Sequence, residues 1–343
     1  MISALKKNIG DENLSIEVTT RCNYNCRHCF VRVRCPEIYQ LPFPLVKNIL
    51  TEGYHTGYRH LHLTGGEPLL WESFFEALDF AFGLGYQRIF VNTNGTLFTR
   101  HTIARLTGYH ELSFSVSIEG TEKRHNHIRG IDTYRLTMKK IEMALSFGLN
   151  LTIFMTIDKT LLADLPDCVD ELYCKFPDIK GLSLIQLIRG TKSEFSLSGN
   201  LLDPAGFLRL VRMVSLLNLY GHKIEILNNP LAVVVSKQFE IPHIPRVNPL
   251  RRNGHLIILA DGAVALSHSI PNNFGKYKPG VIKSVLSSDE YRTAVAPDET
   301  TCPSCEHTAL CRENGMIRPS EWFRDMHPEV RFCKRVLDLV LYR

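Results

Sequence analysis

The sequence lacks the features that export a chain, anchor it in a membrane or bind it to nucleic acid. Its longest apolar runs, such as LAVVV at 231–235 and LIILA at 256–260, are far too short to span a bilayer. The amino-terminal stretch MISALKKNIGDENLS contains no apolar core of signal-peptide length. No block of five or more like charges occurs, so a nucleic-acid-binding tail is not expected. These absences predict a cytoplasmic protein with no membrane partner and no nucleic-acid partner.

The composition is otherwise that of an ordinary globular protein. The chain has 343 residues, of which 44% are hydrophobic and 22% charged, which argues against wholesale disorder. Its length allows two domains, or one large α/β domain with an appendage. The net charge of +5 permits an anionic partner but identifies none. The sequence contains no internal repeat and no low-complexity tract.

Short β-like runs alternate with amphipathic helical stretches from about residue 14 to residue 190. The predicted strands cover 14–20, 60–64, 88–93, 112–118, 151–157 and 181–188, and the predicted helices between them cover 44–57, 71–85, 100–107, 133–148 and 162–175. Apolar strands joined by connections of this length imply parallel pairing with right-handed crossovers. The predicted fold is α/β, a partial (β/α)6 barrel with its site at the carboxyl ends of the strands. A flat doubly wound sheet is the alternative.

The pattern changes after a further predicted helix at 203–220. A proline-rich stretch at 241–249 precedes two short predicted strands around Asp261 and Gly262, a dipeptide typical of a hairpin turn. A cysteine-rich segment and a final helix near 327–342 follow. We therefore predict two domains, residues 1–235 and residues 236–343, with the boundary near 230–250.

The ten cysteines are the most informative part of the composition, because seven of them are clustered. In a reducing cytoplasm, clustered thiols indicate metal binding before disulfides. Cys22, Cys26 and Cys29 have the spacing C-x3-C-x2-C, directly after the first predicted strand. Three thiolates can bind three irons of a cubane cluster and leave the fourth iron open to another ligand. Zinc bound by these cysteines and His28 is the alternative.

A second motif, TGGEP, follows the second predicted strand. Gly65 and Gly66 let the backbone turn sharply and expose its polar groups to a ligand, Glu67 adds a carboxylate, and Pro68 fixes the exit of the chain. Alone the motif is weak, since most glycine pairs after strands are turns. It lies one β–α step after the cysteine loop, however, which predicts that both lie on the same rim of the barrel.

The cysteine loop, the GGEP motif and the sixfold β/α pattern together resemble the radical S-adenosylmethionine superfamily, over roughly residues 14–230. The resemblance implies a catalytic 4Fe–4S cluster on the three cysteines, with S-adenosyl-L-methionine chelating the open iron. It also implies that Gly65, Gly66 and Glu67 hold the amino group of this cofactor. Many members carry an aromatic residue before the third cysteine, where this chain has His28.

The resemblance extends more weakly to four further cofactor contacts. Ser117, at the end of the fourth predicted strand, matches a polar position near the ribose or methionine end of the cofactor. Arg129 matches an arginine that pairs with the methionine carboxylate, and an arginine fork suits that group; a solvated basic loop is the alternative. Asn94 lies at the appropriate strand end but could equally be a turn residue. Gln186 could contact adenosine or substrate, or be an inward structural amide.

The carboxyl-terminal cysteines have the spacing C-x2-C-x5-C-x21-C, which fits a fully ligated iron–sulfur cluster or a closed zinc site. Beside the first cluster, they resemble the SPASM/twitch extension of many radical enzymes. Full SPASM domains carry two auxiliary clusters, but Gly315 stands where the central motif would continue with cysteine, and the predicted hairpin has no cysteine. The resemblance therefore implies one auxiliary 4Fe–4S cluster, for electron transfer or structure, on Cys302, Cys305, Cys311 and Cys333.

Three cysteines lie outside both clusters. Cys168 and Cys174 are six residues apart on a predicted helix and do not share a face, so we interpret them as core or semi-exposed residues. Cys35 follows the cysteine loop. Some radical epimerases use a thiol as a hydrogen donor, which makes Cys35 a candidate for that role.

The implied chemistry is reductive cleavage of S-adenosyl-L-methionine to a 5′-deoxyadenosyl radical that abstracts a hydrogen atom from the substrate. An electron donor such as flavodoxin or ferredoxin is then required. We favour peptide or protein maturation by crosslinking, oxidation or epimerisation. The alternative is oxidation, decarboxylation or epimerisation of a small molecule such as a sugar, aminocyclitol or tetrapyrrole. The alternative of another class is a non-enzymatic metal-binding scaffold.

The first predicted strand begins at about residue 14. We expect from this that no amino-terminal peptide-recognition domain precedes it, which weakens the peptide interpretation. A separate peptide-recognition partner that delivers the substrate would restore that interpretation.

Overall fold

The computed structural model describes residues 9–187, 198–227, 229, 231–242, 244, 253–268, 273–295, 305–313 and 332–341. These residues belong to two compact units. The first unit is drawn from residues 1–117, 135–151 and 251–296, and the second from residues 118–134, 152–250 and 297–343. Each unit therefore combines segments that are distant in the sequence.

Ten strands fall within the described residues. In chain order they are β1 (Asn13–Thr19), β2 (His60–Gly65), β3 (Arg88–Thr93), β4 (Leu112–Ser117), β5 (Asn150–Ile157), β6 (Leu182–Gln186), β7 (Ile224–Leu227), β8 (Leu256–Ile258), β9 (Ala263–Ala265) and β10 (Asn273–Lys276).

The same residues contain thirteen α-helices. They are α1 (Phe30–Arg34), α2 (Phe43–Thr56), α3 (Phe74–Leu84), α4 (Arg100–Leu106), α5 (Glu122–Arg129), α6 (Thr133–Ser146), α7 (Lys159–Lys175), α8 (Pro204–Leu219), α9 (Leu231–Gln238), α10 (Val281–Ser287), α11 (Asp289–Val295), α12 (Thr308–Glu313) and α13 (Phe332–Leu341).

Several helix ends follow directly from the local sequence. Gly57 and Gly85 end α2 and α3 in the left-handed conformation, with φ of 117° and 102°, which glycine adopts without strain. Asp158 begins α7, because its side chain accepts the N–H of Leu161 at 2.8 Å. These local signals set where each helix stops and where the next strand can begin.

The central strand of the first unit is β1, which pairs in parallel with β2 on one side and β8 on the other. The parallel pairing continues from β2 through β3 to β4, whereas the β8–β9 and β9–β10 pairs are antiparallel. Leu14, Ile16 and Val18 of β1 are fully buried. Helix α2 packs so closely on this side that a Cβ on Gly53 would overlap Leu14. The apolar pattern of β1 is therefore explained by its central position.

In the second unit, β5, β6 and β7 are parallel neighbours, with Ile153 opposite Leu182 and Leu182 opposite Ile224. Helix α8 packs beside α7, α9 and α13. Phe207 of α8 and Phe332 of α13 are both buried and meet edge to face, with ring centroids 5.8 Å apart. The last described helix is thereby part of the core of this unit.

The predicted strands and helices of residues 14–220 are confirmed, with small shifts at their ends. The hairpin around Asp261 and Gly262 is confirmed as β8 and β9, and the final predicted helix as α13. The prediction missed β7, β10, α1, α5 and the helices α9 to α12, all of which are too short to show a clear periodicity. The division at residue 235 stays a prediction, while the hairpin belongs to the first unit. No helix in the described ranges combines the length and hydrophobicity of a bilayer span.

Candidate active site

The cysteine loop connects β1 to α1. Cys22, Cys26 and Cys29 are all half-buried, and none of the three is in a disulfide. The backbone N–H of Cys29 donates to the carbonyl of Cys26 at 3.3 Å, and Cys29 immediately precedes the first turn of α1. Three cysteines without disulfides thus lie in the loop that follows the carboxyl end of the central strand.

Two N–H groups approach the sulfur of Cys22. The backbone N–H of Tyr24 lies 3.4 Å from Sγ, and the side-chain Nδ2 of Asn94 lies 3.9 Å from it. Burial raises the pKa of the Cys22 thiol, and the two N–H donors oppose that rise because they stabilise the thiolate. A metal-binding cysteine must be a thiolate. The two N–H donors beside Cys22 would stabilise the thiolate that a metal ligand requires.

The GGEP corner packs directly against the start of the cysteine loop. A Cβ on Gly66 would overlap the carbonyl group of Arg21, and one on Gly65 would overlap that of Thr19. The N–H of Gly66 donates to Thr19 at 2.7 Å, and the N–H of Glu67 donates to Arg21 at 2.8 Å. The sequence predicted backbone groups exposed to a ligand here, whereas these two N–H groups bind the protein itself. The glycines are required by this close approach.

The carboxylate of Glu67 organises the corner from inside. Glu67 is fully buried, and its oxygens accept hydrogen bonds from the N–H of Leu69 at 3.1 Å, the hydroxyl of Thr93 at 2.8 Å and the N–H of Asn94 at 2.7 Å. The side chain of Asn94 also donates to Asn23 at 2.8 Å. Asn94 thereby links the GGEP corner to the cysteine loop.

Arg129, in the second unit, lies on α5 and pairs with a buried glutamate. Its Nε and NH2 groups donate to one oxygen of Glu119 at 3.0 and 2.6 Å, and the other oxygen of Glu119 accepts the N–H of Thr156 at 3.2 Å. Arg124 of the same helix contacts Asp158 at 2.9 Å. The segment is therefore a helix held by buried ion pairs, and the alternative of a solvated basic loop is wrong.

Ser117 and Gln186 lie at the carboxyl ends of β4 and β6. Ser117 is half-buried. Gln186 is buried and accepts a hydrogen bond from Nδ2 of Asn229 at 2.8 Å. This contact favours the structural interpretation of Gln186, and cofactor binding by either residue stays a prediction.

Of the four carboxyl-terminal cysteines, Cys302 lies outside the described residues. Cys305 is exposed, whereas Cys311 on α12 and Cys333 on α13 are half-buried, and none of these three is in a disulfide. All three belong to the second unit. An auxiliary cluster on these cysteines stays a prediction.

The remaining cysteines occupy three different environments. Cys168 is buried in α7, where burial raises the pKa of its thiol to about 11, and Cys174 is exposed on the same helix. Cys35 is half-buried directly after α1, and desolvation raises its pKa as well. A raised pKa keeps the thiols of Cys168 and Cys35 protonated at neutral pH. A hydrogen-donor role for Cys35 stays a prediction.

The cysteine loop passes a simple test of fit for an iron–sulfur cluster. Within the described ranges, no three histidine, cysteine, aspartate or glutamate side chains converge closely enough to hold one metal ion. In a cubane cluster each thiolate binds a different iron, so the three sulfur atoms lie farther apart than the ligands of a single metal ion do. Three reduced, half-buried thiols with N–H donors beside Cys22 fit this group.

Sequence reasoning missed two buried carboxylates, Glu17 and Glu119. Both are fully buried. A signal was present in each case, because Glu17 interrupts an apolar strand and Glu119 follows the end of another. Charged side chains are seldom buried without partners. The sequence shows that partners are needed but does not identify them.

Part of the sequence is similar to a known protein family. Residues 16–170 match the sequence profile of the Radical SAM superfamily. The AdoMet-dependent heme synthase of Oleidesulfovibrio alaskensis is 27% identical over 146 residues, which are 42% of this chain and 37% of that protein. The AdoMet-dependent heme synthase of Methanosarcina barkeri is 30% identical over 152 residues, 43% of each chain. The matched region thus spans about two fifths of the length of these relatives.

Two solved structures match more of the chain. Native anSMEcpe with bound AdoMet and Kp18Cys peptide is 17% identical, with a TM-score of 0.70 over 96% of both chains. Streptococcus suis SuiB bound to the precursor peptide SuiA is 14% identical, with a TM-score of 0.62 over 83% of this chain and 65% of that one. At these identities the similarity concerns the fold alone. It confirms the predicted α/β partial barrel.

Proposed function

We propose that Cys22, Cys26 and Cys29 hold a catalytic 4Fe–4S cluster with an open iron for S-adenosyl-L-methionine, because residues 16–170 match the sequence profile of the Radical SAM superfamily. When bound, the cluster supplies the electron that cleaves this cofactor to methionine and a 5′-deoxyadenosyl radical. The observation that carries the proposal is the chain of contacts from Cys22 through Asn94 to Glu67, which joins the thiols to the GGEP corner.

We assign the remaining cofactor contacts to residues at or after the strand ends. They are Gly65, Gly66, Glu67, Asn94, Ser117, Arg129 and Gln186. Arg129 suits the methionine carboxylate because a guanidinium can bind a carboxylate through two parallel hydrogen bonds. The pair with Glu119 orients this guanidinium.

For the substrate, we favour a peptide or protein that is crosslinked, oxidised or epimerised after hydrogen-atom abstraction. Two structures of similar fold contain peptides, Kp18Cys peptide in one and the precursor peptide SuiA in the other. The first of these covers 96% of both chains, so its similarity extends beyond the radical SAM domain. A flavodoxin or ferredoxin would supply the electron, and a separate recognition partner could deliver the peptide.

The first test is cofactor cleavage by the anoxically reconstituted protein. Given dithionite and S-adenosyl-L-methionine, we expect a brown, oxygen-sensitive protein that releases 5′-deoxyadenosine, measured by liquid chromatography. Cys22→Ala should abolish the release. Cys174→Ala, which removes an exposed thiol of the second unit, is the matched control and should not. Zinc in place of iron, or no nucleoside from the wild type, would contradict the proposal.

The second test concerns the substrate. Short reading frames beside the gene are expressed as candidate precursor peptides and added to the active protein. A peptide substrate should change in mass and stimulate release of 5′-deoxyadenosine. Deuterium from a labelled peptide should appear in the nucleoside, since the radical takes a hydrogen atom from the substrate. Absence of all three effects would favour a small-molecule substrate.

The second candidate function is a radical oxidoreductase or decarboxylase acting on a tetrapyrrole. The two heme synthase relatives favour it. Incubation with an iron coproporphyrin provides the discriminating assay, because loss of carbon dioxide from the porphyrin is visible by mass spectrometry. A decarboxylated porphyrin without any peptide modification would select this candidate.

We also propose that Cys302, Cys305, Cys311 and Cys333 hold one auxiliary 4Fe–4S cluster, in a domain covering residues 236–343. The donor set supports this, since four thiolates ligate such a cluster completely. Cys311→Ala should lower the iron content by about four atoms per chain. An unchanged iron content would contradict the assignment.

A further inference from the structure

Helix α1 is too short to determine its own position. It contains five residues and begins directly after Cys29, whereas isolated helices shorter than about 12–15 residues are marginal in water. Its position must therefore come from tertiary contacts. The same contacts set where the cysteine loop ends.

The last residue of α1 makes a charged contact with the central strand. NH2 of Arg34 lies 2.5 Å from Oε1 and 2.7 Å from Oε2 of Glu17. Glu17 is fully buried in β1, which is paired on both sides, with β2 and with β8. One end of this contact is thus held by the sheet, and the other end belongs to the helix that follows the cysteines.

The carboxylate of Glu17 has two further partners, both in the segment that contains the β8–β9 hairpin. The N–H of Ala260 donates to Oε1 at 3.1 Å across a separation of 243 residues, and Nδ1 of His268 lies 2.5 Å from Oε2. Glu17 thereby joins α1 to the hairpin segment.

These partners keep Glu17 ionised. Burial alone would raise its pKa, but the hydrogen bond and charge of His268, with the charge of Arg34, lower it to about 2. Loss of such partners from a buried carboxylate strongly destabilises the folded protein. The three charged or polar side chains are therefore held together and restrict the position of α1.

We propose that Glu17, Arg34 and His268 are positioning residues, which hold α1 against β1 and so keep the cysteine loop in the geometry that binds the cluster. The role of these three residues in cluster binding depends on the proposed function. The contacts among them do not, because they are observed directly around Glu17. None of the three residues contacts a reacting group in this assignment.

The test uses the full-length, cluster-free protein under reducing conditions. Labelling by iodoacetamide is followed at each cysteine by peptide mass spectrometry. In Glu17→Gln we expect Cys26 and Cys29 to label roughly tenfold faster, because loss of hydrogen bonds to a charged group can shift a local opening equilibrium by that factor. Cys174, exposed in the second unit, should label at an unchanged rate.

Arg34→Gln is the second variant and leaves the sheet intact if Glu17→Gln fails to fold. Arg34→Lys keeps the charge but its side chain is one atom shorter than that of arginine, so the labelling rate at Cys29 in this variant should fall between those of wild type and Arg34→Gln. Unchanged labelling of Cys29 in Arg34→Gln overturns the proposal. Equal acceleration at the buried Cys168 also overturns it, because that result reports general loosening.

The matched control is Glu111→Gln. Glu111 belongs to an exposed pair, 3.7 Å from Arg88, in the same unit. Removal of its charge should leave every labelling rate unchanged, since exposed ion pairs contribute little. Acceleration at Cys29 in this control would overturn the assignment of the effect to Glu17.

A spectroscopic readout on reconstituted protein separates this proposal from the proposed function. Addition of S-adenosyl-L-methionine should change the electron paramagnetic resonance spectrum of the reduced cluster in wild type, and less in Arg34→Gln. If labelling differs but wild type binds no cluster, the proposed function fails and the network stands. If wild type releases 5′-deoxyadenosine but neither labelling nor spectrum differs, the network fails and the function stands.

Discussion

Two buried glutamates of the first unit, Glu67 and Glu17, are held in contrasting ways. Both are fully buried. Glu67 accepts hydrogen bonds from the hydroxyl of Thr93 at the end of β3 and from the backbone N–H groups of Leu69 and Asn94, which follow β2 and β3. Glu17 is paired with the guanidinium of Arg34 and the ring of His268. His268 follows β9 and is therefore distant from Glu17 in the sequence.

The two glutamates differ in the kind of partner that stabilises them and in where that partner lies in the sequence. The hydrogen bonds that Glu67 accepts from Leu69, Thr93 and Asn94 come from neutral groups close to the strand ends. The partners of Glu17 compensate its charge and bring distant segments to the central strand. The GGEP corner should therefore respond mainly to steric and hydrogen-bond changes, and the Glu17 network mainly to changes of charge and pH.

The largest expected effect is steric and concerns the GGEP corner. In Gly66→Ala, the new Cβ would lie 2.5 Å from the carbonyl oxygen of Thr20, so we expect a loss of about 3 kcal/mol or more in the free energy of unfolding. Gly83→Ala, in helix α3 with open space around it, is the control and should stabilise by about 0.5–1 kcal/mol. Urea unfolding measures both. Equal behaviour of the two variants would remove the steric argument.

The next effect is electrostatic and concerns Glu17. Its pKa in the folded protein is about 2, below the ordinary 4.5, so the stabilisation it contributes is fully present above about pH 4.5 and is lost as the pH falls toward 2. The loss amounts to about 3 kcal/mol. The difference in unfolding free energy between wild type and Glu17→Gln should therefore shrink over this range. A difference that stays constant with pH would contradict the ion-pair account.

The smallest of these effects is expected for Glu67→Gln. The amide would place an NH2 group against at least one of the three donors, Leu69, Thr93 or Asn94, and leave that donor unsatisfied. We expect a cost of about 1–3 kcal/mol in unfolding free energy, together with loss of cofactor cleavage. If Glu67→Gln shows the same acid dependence as Glu17→Gln when compared with wild type, the distinction between the two carboxylates fails.

The regular elements before residue 220 could be predicted because their signals are local. Gly57 and Gly85 mark the ends of helices, and apolar runs mark buried strands. Strand β7 was missed because it has only four residues, and helix α5 because its segment is polar and rich in histidine and arginine, so neither shows a clear period. Their formation depends on neighbours that are distant in sequence.

The candidate site was predictable to a similar depth. Cys22, Glu67 and Asn94 follow three different parallel strands, so their approach could be expected from the carboxyl ends of a sheet. The hydrogen bonds from the N–H groups of Gly66 and Glu67 to the cysteine-loop backbone could not be predicted, because they depend on a close contact of two loops. The sequence also did not predict that Gln186 would bind Asn229.

The amino-acid sequence by itself determined the spacing of the three loop cysteines, the glycine pair that permits a tight corner, and the β–α alternation that places both after strands. These properties depend on neighbouring residues and on the period of side chains along the chain. Only the tertiary structure decided that Glu17 meets Arg34 and His268, and that Glu119 meets Arg129. Such pairings depend on which distant segments pack together, and the burial that makes them strong exists only in the folded chain.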